Sequence, residues 1–315
     1  MRDLAVSHGD VRAVEGVSLE VGAGETFALV GESGSGKTTT GRAILRLVAA
    51  RAGRVLYRRE DAAEPIDLLA QTEKALRPLR RELQIVFQDP LASLDPRCTA
   101  GEAVAEGLAV HAIARGEAAE ARVGALIERV GLAPEKAGSF PHELSGGERQ
   151  RIAIARALAL DPRFVVLDEP VSALDASVRG QVLNLLAELQ AERGLSYLFI
   201  AHDLAVVRHV ADRVAVMYCG RIVETGTVEE IFGGARHPYT RALLAAMPRL
   251  DPRAPPPSPL SGEPPSPVAP PGGCPFHPRC PVAEARCAIE VPERTQLTAT
   301  HAADCHLLGD AQPTP

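Results

Sequence analysis

The chain has 315 residues, enough to bury one large core or two smaller ones. Its 34 basic and 40 acidic residues leave a net charge of −6, aromatics make up 3%, and Trp is absent. This excludes a basic field for nucleic acid and stacking platforms for single strands, and no apolar run is long enough to span a membrane. No charged-then-apolar leader opens the chain, so a cytosolic protein is expected, free to dock on a membrane partner.

Residues 1–30 alternate short apolar runs (Leu4-Ala5-Val6, Val14, 17–21) with turn signals, the pattern of a small β-meander ending in the buried strand 26–30. Directly after it, Gly31-Glu32-Ser33-Gly34-Ser35-Gly36-Lys37-Thr38 fits G-x-x-x-x-G-K-[ST]. A helix over 39–48 is predicted next, and strand, glycine loop, helix is the context this phosphate-binding loop requires. Gly31, Gly34 and Gly36 let backbone N–H groups turn inward, and Ser33 and Thr39 flank the cradle. Lys37 reaches the terminal phosphates, and the Thr38 hydroxyl suits Mg²⁺.

The run 53–57 predicts a strand, the polar residues 58–65 a turn, and 73–82 a short helix disturbed by Pro78. A strand over 83–87 ends at Gln88-Asp89-Pro90, where Pro90 is expected to stop regular structure. Gln88 at that strand end ligates Mg²⁺ or positions water, or is simply solvated. Residues 100–160 are Ala-rich, with helices predicted over 102–111, 118–130 and 148–160, a helical insert between α/β elements. Within it, Leu144-Ser145-Gly146-Gly147-Glu148 offers Ser145 as an N-cap with Glu148 three residues on. Two glycines there leave N–H groups open to a phosphate.

Phe164-Val165-Val166-Leu167-Asp168-Glu169 reads as an apolar strand ending in two acids, which a bound Mg²⁺–nucleotide would compensate. Asp168 then holds Mg²⁺, and Glu169 serves as general base for the attacking water. A helix over 178–191, a strand over 197–201 ending at His202, a hairpin around Cys219-Gly220 and two short helices over 227–247 follow. His202 is a candidate donor to the γ-phosphate.

In their order along the chain, the P-loop, Gln88, 144–148, 165–169, Ser172-Ala173-Leu174-Asp175 and His202 resemble an ATP-binding-cassette (ABC) ATPase. The resemblance covers residues 1–247. It implies an α/β P-loop core with an antiparallel β subdomain and a helical signature subdomain at about 90–160. ATP would sit between residues 31–38 of one subunit and Ser145, Gly146 and Gly147 of a second. Residues 86–90, 94–97, 197–204, 237–244 and 262–281 resemble a narrower group, the ATPases of oligopeptide/dipeptide importers, and most of all their second, F-type ATPase subunit. That implies a second ATPase subunit (a non-identical chain, or another copy), two transmembrane permease subunits contacted after Gln88, and an extracytoplasmic solute-binding protein acting indirectly. The place would be the cytoplasmic face of the membrane. The alternative weighed against it is a soluble cassette ATPase working on nucleic acid or ribosomes. Two departures stand out. Glu148 replaces the usual Gln of the signature, and His8 stands where the family stacks an aromatic on adenine.

The stretch 248–272 is proline-dense and predicts an extended linker. Beyond it, 273–310 is a short Cys-rich extension in which Cys274, Cys280, Cys287 and Cys305 follow C-x₅-C-x₆-C-x₁₇-C. Four thiolates suit an iron–sulfur cluster or Zn²⁺, with His277, His301 and His306 as reserve ligands. The spacing does not choose between metals; the resemblance favours [4Fe–4S].

Overall fold

The computed structural model describes residues 1–59, 62, 64–247, 262–266 and 268–308. Most of the predicted linker, part of the turn at 58–65 and the last two residues of the Cys-rich extension therefore lie outside the described residues. The chain divides into two compact units: Met1–Glu20, Phe27–Ala70 and Ala201–Pro315 form one, and Val21–Thr26 with Gln71–Ile200 the other.

In the first unit, strand Arg2–His8 lies between Val11–Val17 and Ala52–Arg54, antiparallel to both. Leu4, Val6, Val14 and Val17 are buried between this sheet and its neighbours. A second sheet pairs Arg213–Tyr218 in parallel with Phe27 to Val30, placing Val214 opposite Ala28. It continues antiparallel through Arg221–Thr227, Ala302–Asp304 and Arg294–Gln296. The two strands from the Cys-rich extension thus join this sheet in register, with Glu224 facing Ala303. The fully buried Leu29, Val30 and Val214 show why the strand before the glycine loop is apolar from Phe27 to Val30.

The second unit carries the parallel strands Leu83–Val86, Phe164–Asp168 and Ser196–Ala201. The helices Ala100–Val110, Glu117–Arg129 and Gly146–Leu158 pack on one another. Their inward faces follow helical spacing: Ala100, Ala103, Val104 and Leu108 on the first, Val123, Leu126 and Ile127 on the second. Among the described residues no helix is long and apolar enough to cross a membrane.

Several boundaries differ from the sequence-based expectation. The helix expected over 39–48 is Lys37–Ile44. It starts as soon as the glycine loop ends, and Arg46 leaves it with a left-handed φ of 54°. The strand expected over 53–57 is two, Ala52–Arg54 and Leu56–Tyr57. Val55 breaks it because its N–H donates to Asp67 Oδ1 and its carbonyl accepts from Leu68 N. The run 17–21 contributes only Val17 to a strand. Pro90 does not stop regular structure but starts the short helix Pro90–Ser93. Asp89 caps that helix, accepting from Leu91 N at 2.9 Å and Ala92 N at 3.1 Å. Proline at the first helical position loses only an N–H that had no helical partner.

Candidate functional site

The glycine loop sits in the first unit. Gly36 occupies the turn into helix Lys37–Ile44 with φ 105°, and a Cβ there would lie 2.2 Å from the Ala13 carbonyl oxygen. The position is closed to any side chain on both conformational and steric grounds. Lys37 is buried, 5% exposed, and its Nζ donates to the carbonyls of Gly31 and Glu32, both at 2.8 Å. The ammonium is thus folded back over its own loop, held by carbonyls that a phosphate oxygen would replace. Ser35, a residue the motif reading passed over, is buried beside it, with Oγ 3.4 Å from Nζ. Its only sequence signal is its place inside the loop. Gly34 and Ser33 are exposed, while Thr38 and Thr39 are half-buried on the first helical turn. His202 stands exposed just after strand Ser196–Ala201, and His8 is exposed at the end of strand Arg2–His8.

The second unit supplies the acids. Asp168 closes strand Phe164–Asp168 and is 1% exposed. A carboxylate kept from water in this way favours a cation. Glu169 follows in the left-handed region, φ 48°, a conformation costing on the order of 1–2 kcal/mol for a residue with a Cβ. Three bonds hold it there. Its N–H donates to Ile200 O at 3.0 Å, and its carbonyl accepts from Ser172 N at 3.3 Å and Ser172 Oγ at 3.1 Å. Gln88 Nε2 donates to Glu169 Oε2 at 3.0 Å, so the structure brings these two predicted residues together.

The signature segment belongs to the same unit. Ser145 caps helix Gly146–Leu158, its Oγ accepting from Glu148 N at 3.2 Å. Glu148 closes the box, its Oε2 accepting from Ser145 N at 2.8 Å, while its Oε1 pairs with Lys136 Nζ at 2.8 Å. Lys136 first and the Ser145 N–H next hold the Glu148 carboxyl at about 2. The extra acid is therefore neutralised locally, a partnership the sequence did not signal. Ser145 and Gly146 are exposed, and a Cβ on Gly146 would meet nothing within 4 Å. Gly147 differs: a Cβ there would lie 2.5 Å from Val178 Cγ1.

The four C-terminal cysteines converge. Cys274, Cys280, Cys287 and Cys305 line one small cavity of about 10 Å³ together with His237, Phe276, His277 and His306. Burial pushes the thiols of Cys274, Cys280 and Cys305 upward, Cys274 to about 11. His301 is elsewhere: it is buried, with Nε2 2.8 Å from Glu224 Oε1, and takes no part in this cavity. Among the described residues no three His, Cys, Asp or Glu side chains are spaced to hold a single metal ion. The donor set thus fits a thiolate-held centre in kind, though not one compact ion as arranged.

Comparisons with known proteins agree with this geometry. Residues 14–172 match the family described as ABC transporter, and residues 223–287 the oligopeptide/dipeptide transporter C-terminal region. A probable peptide ABC transporter ATP-binding protein of Sinorhizobium fredii is 50% identical over 96% of this chain and 84% of its own. The oligopeptide transport ATP-binding protein AppF of Bacillus subtilis is 46% identical over 95% and 90%. The glutathione import ATP-binding protein GsiA of Salmonella typhimurium is 56% identical over 77% of this chain, which spans 38% of that relative's length. Among solved structures, a dimeric ATP-binding cassette in a post-hydrolysis state bound to ADP and Pi aligns with TM-score 0.64 and 29% identity. The alignment covers 72% of this chain and 97% of that one. CbiO1 of Clostridium perfringens, part of an ABC transporter complex, aligns with TM-score 0.64 and 30% identity over 74% and 89%. The chain belongs to the ABC transporter ATP-binding family, in the group that carries the oligopeptide/dipeptide transporter C-terminal region.

Proposed function

We propose that this chain binds and hydrolyses ATP to energise a membrane importer of oligopeptides, dipeptides or related small solutes. The observation that carries the chemistry is the Gln88–Glu169 contact beside the buried Asp168, in a chain whose P-loop keeps its lysine. The P-loop N–H groups and Lys37 hold the phosphates, with Lys37 exchanging the Gly31 and Glu32 carbonyls for phosphate oxygens. Thr38, Gln88 and Asp168 offer hard oxygen donors that suit Mg²⁺, which when bound neutralises charge on the phosphates. Glu169 accepts the proton of the attacking water as its oxygen bonds the γ-phosphorus and ADP departs. Gln88 orients that carboxylate, and His202 donates to the γ-phosphoryl oxygens. His8 stacks on adenine, less strongly than an aromatic ring.

Ser145, Gly146 and Gly147 serve the nucleotide of a second ATPase subunit, a non-identical partner or another copy. The dimeric state of the solved cassette named above supports this pairing. The relatives' names, ATP-binding proteins of peptide and oligopeptide transport, support work with a membrane transporter. In this reading the chain is peripheral on the cytoplasmic face, with two permease partners and, indirectly, a solute-binding protein. The working division is a cassette over 1–247 with its helical insert at about 90–160, a linker over 248–272 and a Cys-rich extension over 273–310. The four cysteines hold a [4Fe–4S] cluster rather than Zn²⁺. What supports a thiolate-held centre is that all four cysteines line one cavity. No observation favours a role on nucleic acid.

Replacing Glu169 by Gln tests the central claim. Turnover should fall about 10²- to 10⁴-fold, the range of a lost general base, while ATP affinity persists. Unchanged turnover would remove Glu169 from that role.

A further inference from the structure

Glu32 is the sole acid of the P-loop, and the far end of the chain takes up its carboxylate. Arg279 donates Nη1 to Glu32 Oε2 at 2.6 Å and Nη2 to Oε1 at 3.0 Å, a two-pronged pair across 247 residues of sequence. The Arg279 side chain is 4% exposed and that of Glu32 25%. Nη1 also reaches Tyr218 Oη at 3.3 Å, and the guanidinium carbon lies 5.9 Å from the Tyr218 ring centre. The Glu32 backbone is held as well: its N–H donates to Tyr239 Oη at 2.9 Å and its carbonyl accepts from Lys37. The rings of Tyr218, Tyr239 and Phe276, with centres 4.5 to 5.3 Å apart, brace both hydroxyls.

The charge count gives this contact a purpose. Residues 31–38 contain one acid, Glu32, and one base, Lys37, so their charges sum to zero. A neutral loop is a poor receptor for a polyanion, and a carboxylate beside the cradle repels it. With Arg279 docked, the local sum becomes +1. The fork geometry makes the pairing directional, which a lysine ammonium would not reproduce.

We propose that Arg279 is a positioning residue of the nucleotide site, neutralising Glu32 and fixing the entry of the P-loop so that it receives a nucleoside triphosphate. The inference rests on the ATP-binding reading above. It assigns the C-terminal segment a part in nucleotide affinity.

The test uses the full-length chain, with fluorescent-ATP titration and steady-state hydrolysis. Wild-type protein that neither binds nor hydrolyses ATP would overturn the ATP-binding reading, and this inference with it. Given binding, Arg279→Gln should weaken ATP affinity about tenfold, equivalent to about 1.4 kcal/mol, with kcat within about twofold. The double variant Glu32→Gln/Arg279→Gln should recover to within about threefold of wild type, because no uncompensated acid remains. A mere structural brace would leave the double variant as weak as the single one, and that result would overturn the proposal. So would a folded Arg279→Gln with wild-type affinity. Should Arg279→Gln fail to fold, Arg279→Lys serves: affinity about threefold weaker is expected, and wild-type affinity would refute the fork.

Discussion

Gly146 and Gly147 are adjacent, yet the structure gives a methyl group opposite consequences at the two positions. At Gly146 an added Cβ meets nothing within 4 Å, so Ala should stabilise by roughly 0.5–1 kcal/mol through the unfolded chain's lost freedom. At Gly147 the same atom would fall 2.5 Å from Val178 Cγ1, with Val178 Cβ at 3.6 Å and Cγ2 at 3.7 Å. Val178 has little room to yield. Its N–H is tied to Asp175 Oδ1 at 2.9 Å in the first turn of helix Ala176–Arg193, and its branched side chain is stiff at χ1. Overpacking costs about 1–3 kcal/mol, and the helical gain of about 1 kcal/mol offsets part of it. Urea denaturation should therefore rank Gly146→Ala at or above wild type and Gly147→Ala below it, the two separated by about 1–2 kcal/mol. Adding Val178→Ala should rescue Gly147→Ala and leave Gly146→Ala unaffected. Equal stability of the two alanine variants would refute the contact. Hydrolysis separates fold from function. On the proposed function, the stabilised Gly146→Ala should still turn over more slowly, because its methyl would cover N–H groups proposed to serve a second subunit's nucleotide.

Three further outcomes follow from single contacts. Gly36→Ala should weaken ATP binding more than about tenfold in an equilibrium titration, since its Cβ would overlap the Ala13 carbonyl and displace the start of the Lys37 helix. Affinity within about twofold of wild type would show that the loop yields. Glu148 is held at about 2, below its unfolded value, so its contribution is present above the unfolded value and drains away as pH falls toward 2. Screened by solvent, it is worth roughly 1 kcal/mol, and Glu148→Gln, which keeps the cap but loses Lys136, should flatten that part of the acid titration followed by circular dichroism. A slope identical to wild type would remove Lys136 from the account. The cysteine cavity predicts a thiolate-to-iron charge-transfer band after anaerobic reconstitution with iron and sulfide, absent from a variant with all four cysteines changed to Ser.

Much of the fold was legible because its signals are local. The run 26–30, the glycine loop and the acids closing 164–169 each announce themselves within a few residues; the first is a strand as expected, and the strand at 164 ends one residue early, at Asp168. The Ser145–Glu148 box was legible for the same reason, as a spacing of three. Boundaries failed where a cap or a side-chain bond outvoted hydrophobic periodicity. Thr99 caps its helix so that it starts at Ala100, two residues before the expected start at 102, and Asp67 splits the strand at Val55. Pro90 reads as a stop in the sequence because proline cannot continue most elements, yet behind an Asp cap it begins one.

The candidate site divides along the same line. Its chemistry is written in motifs, but its electrostatics is written in long-range pairs with no periodicity to betray them. Lys136 pairs with Glu148, and Arg279 pairs with Glu32 from 247 residues away. In both cases an acid stands beside a backbone proposed to receive phosphate, and in both a cation from a different element cancels it. The two cations are held differently. The Lys136 side chain is 36% exposed, whereas that of Arg279 is 4% exposed and supported by Tyr218. Salt should therefore screen the first pair and leave the second largely intact, so the P-loop compensation is expected to persist at ionic strengths where that at the signature helix has faded.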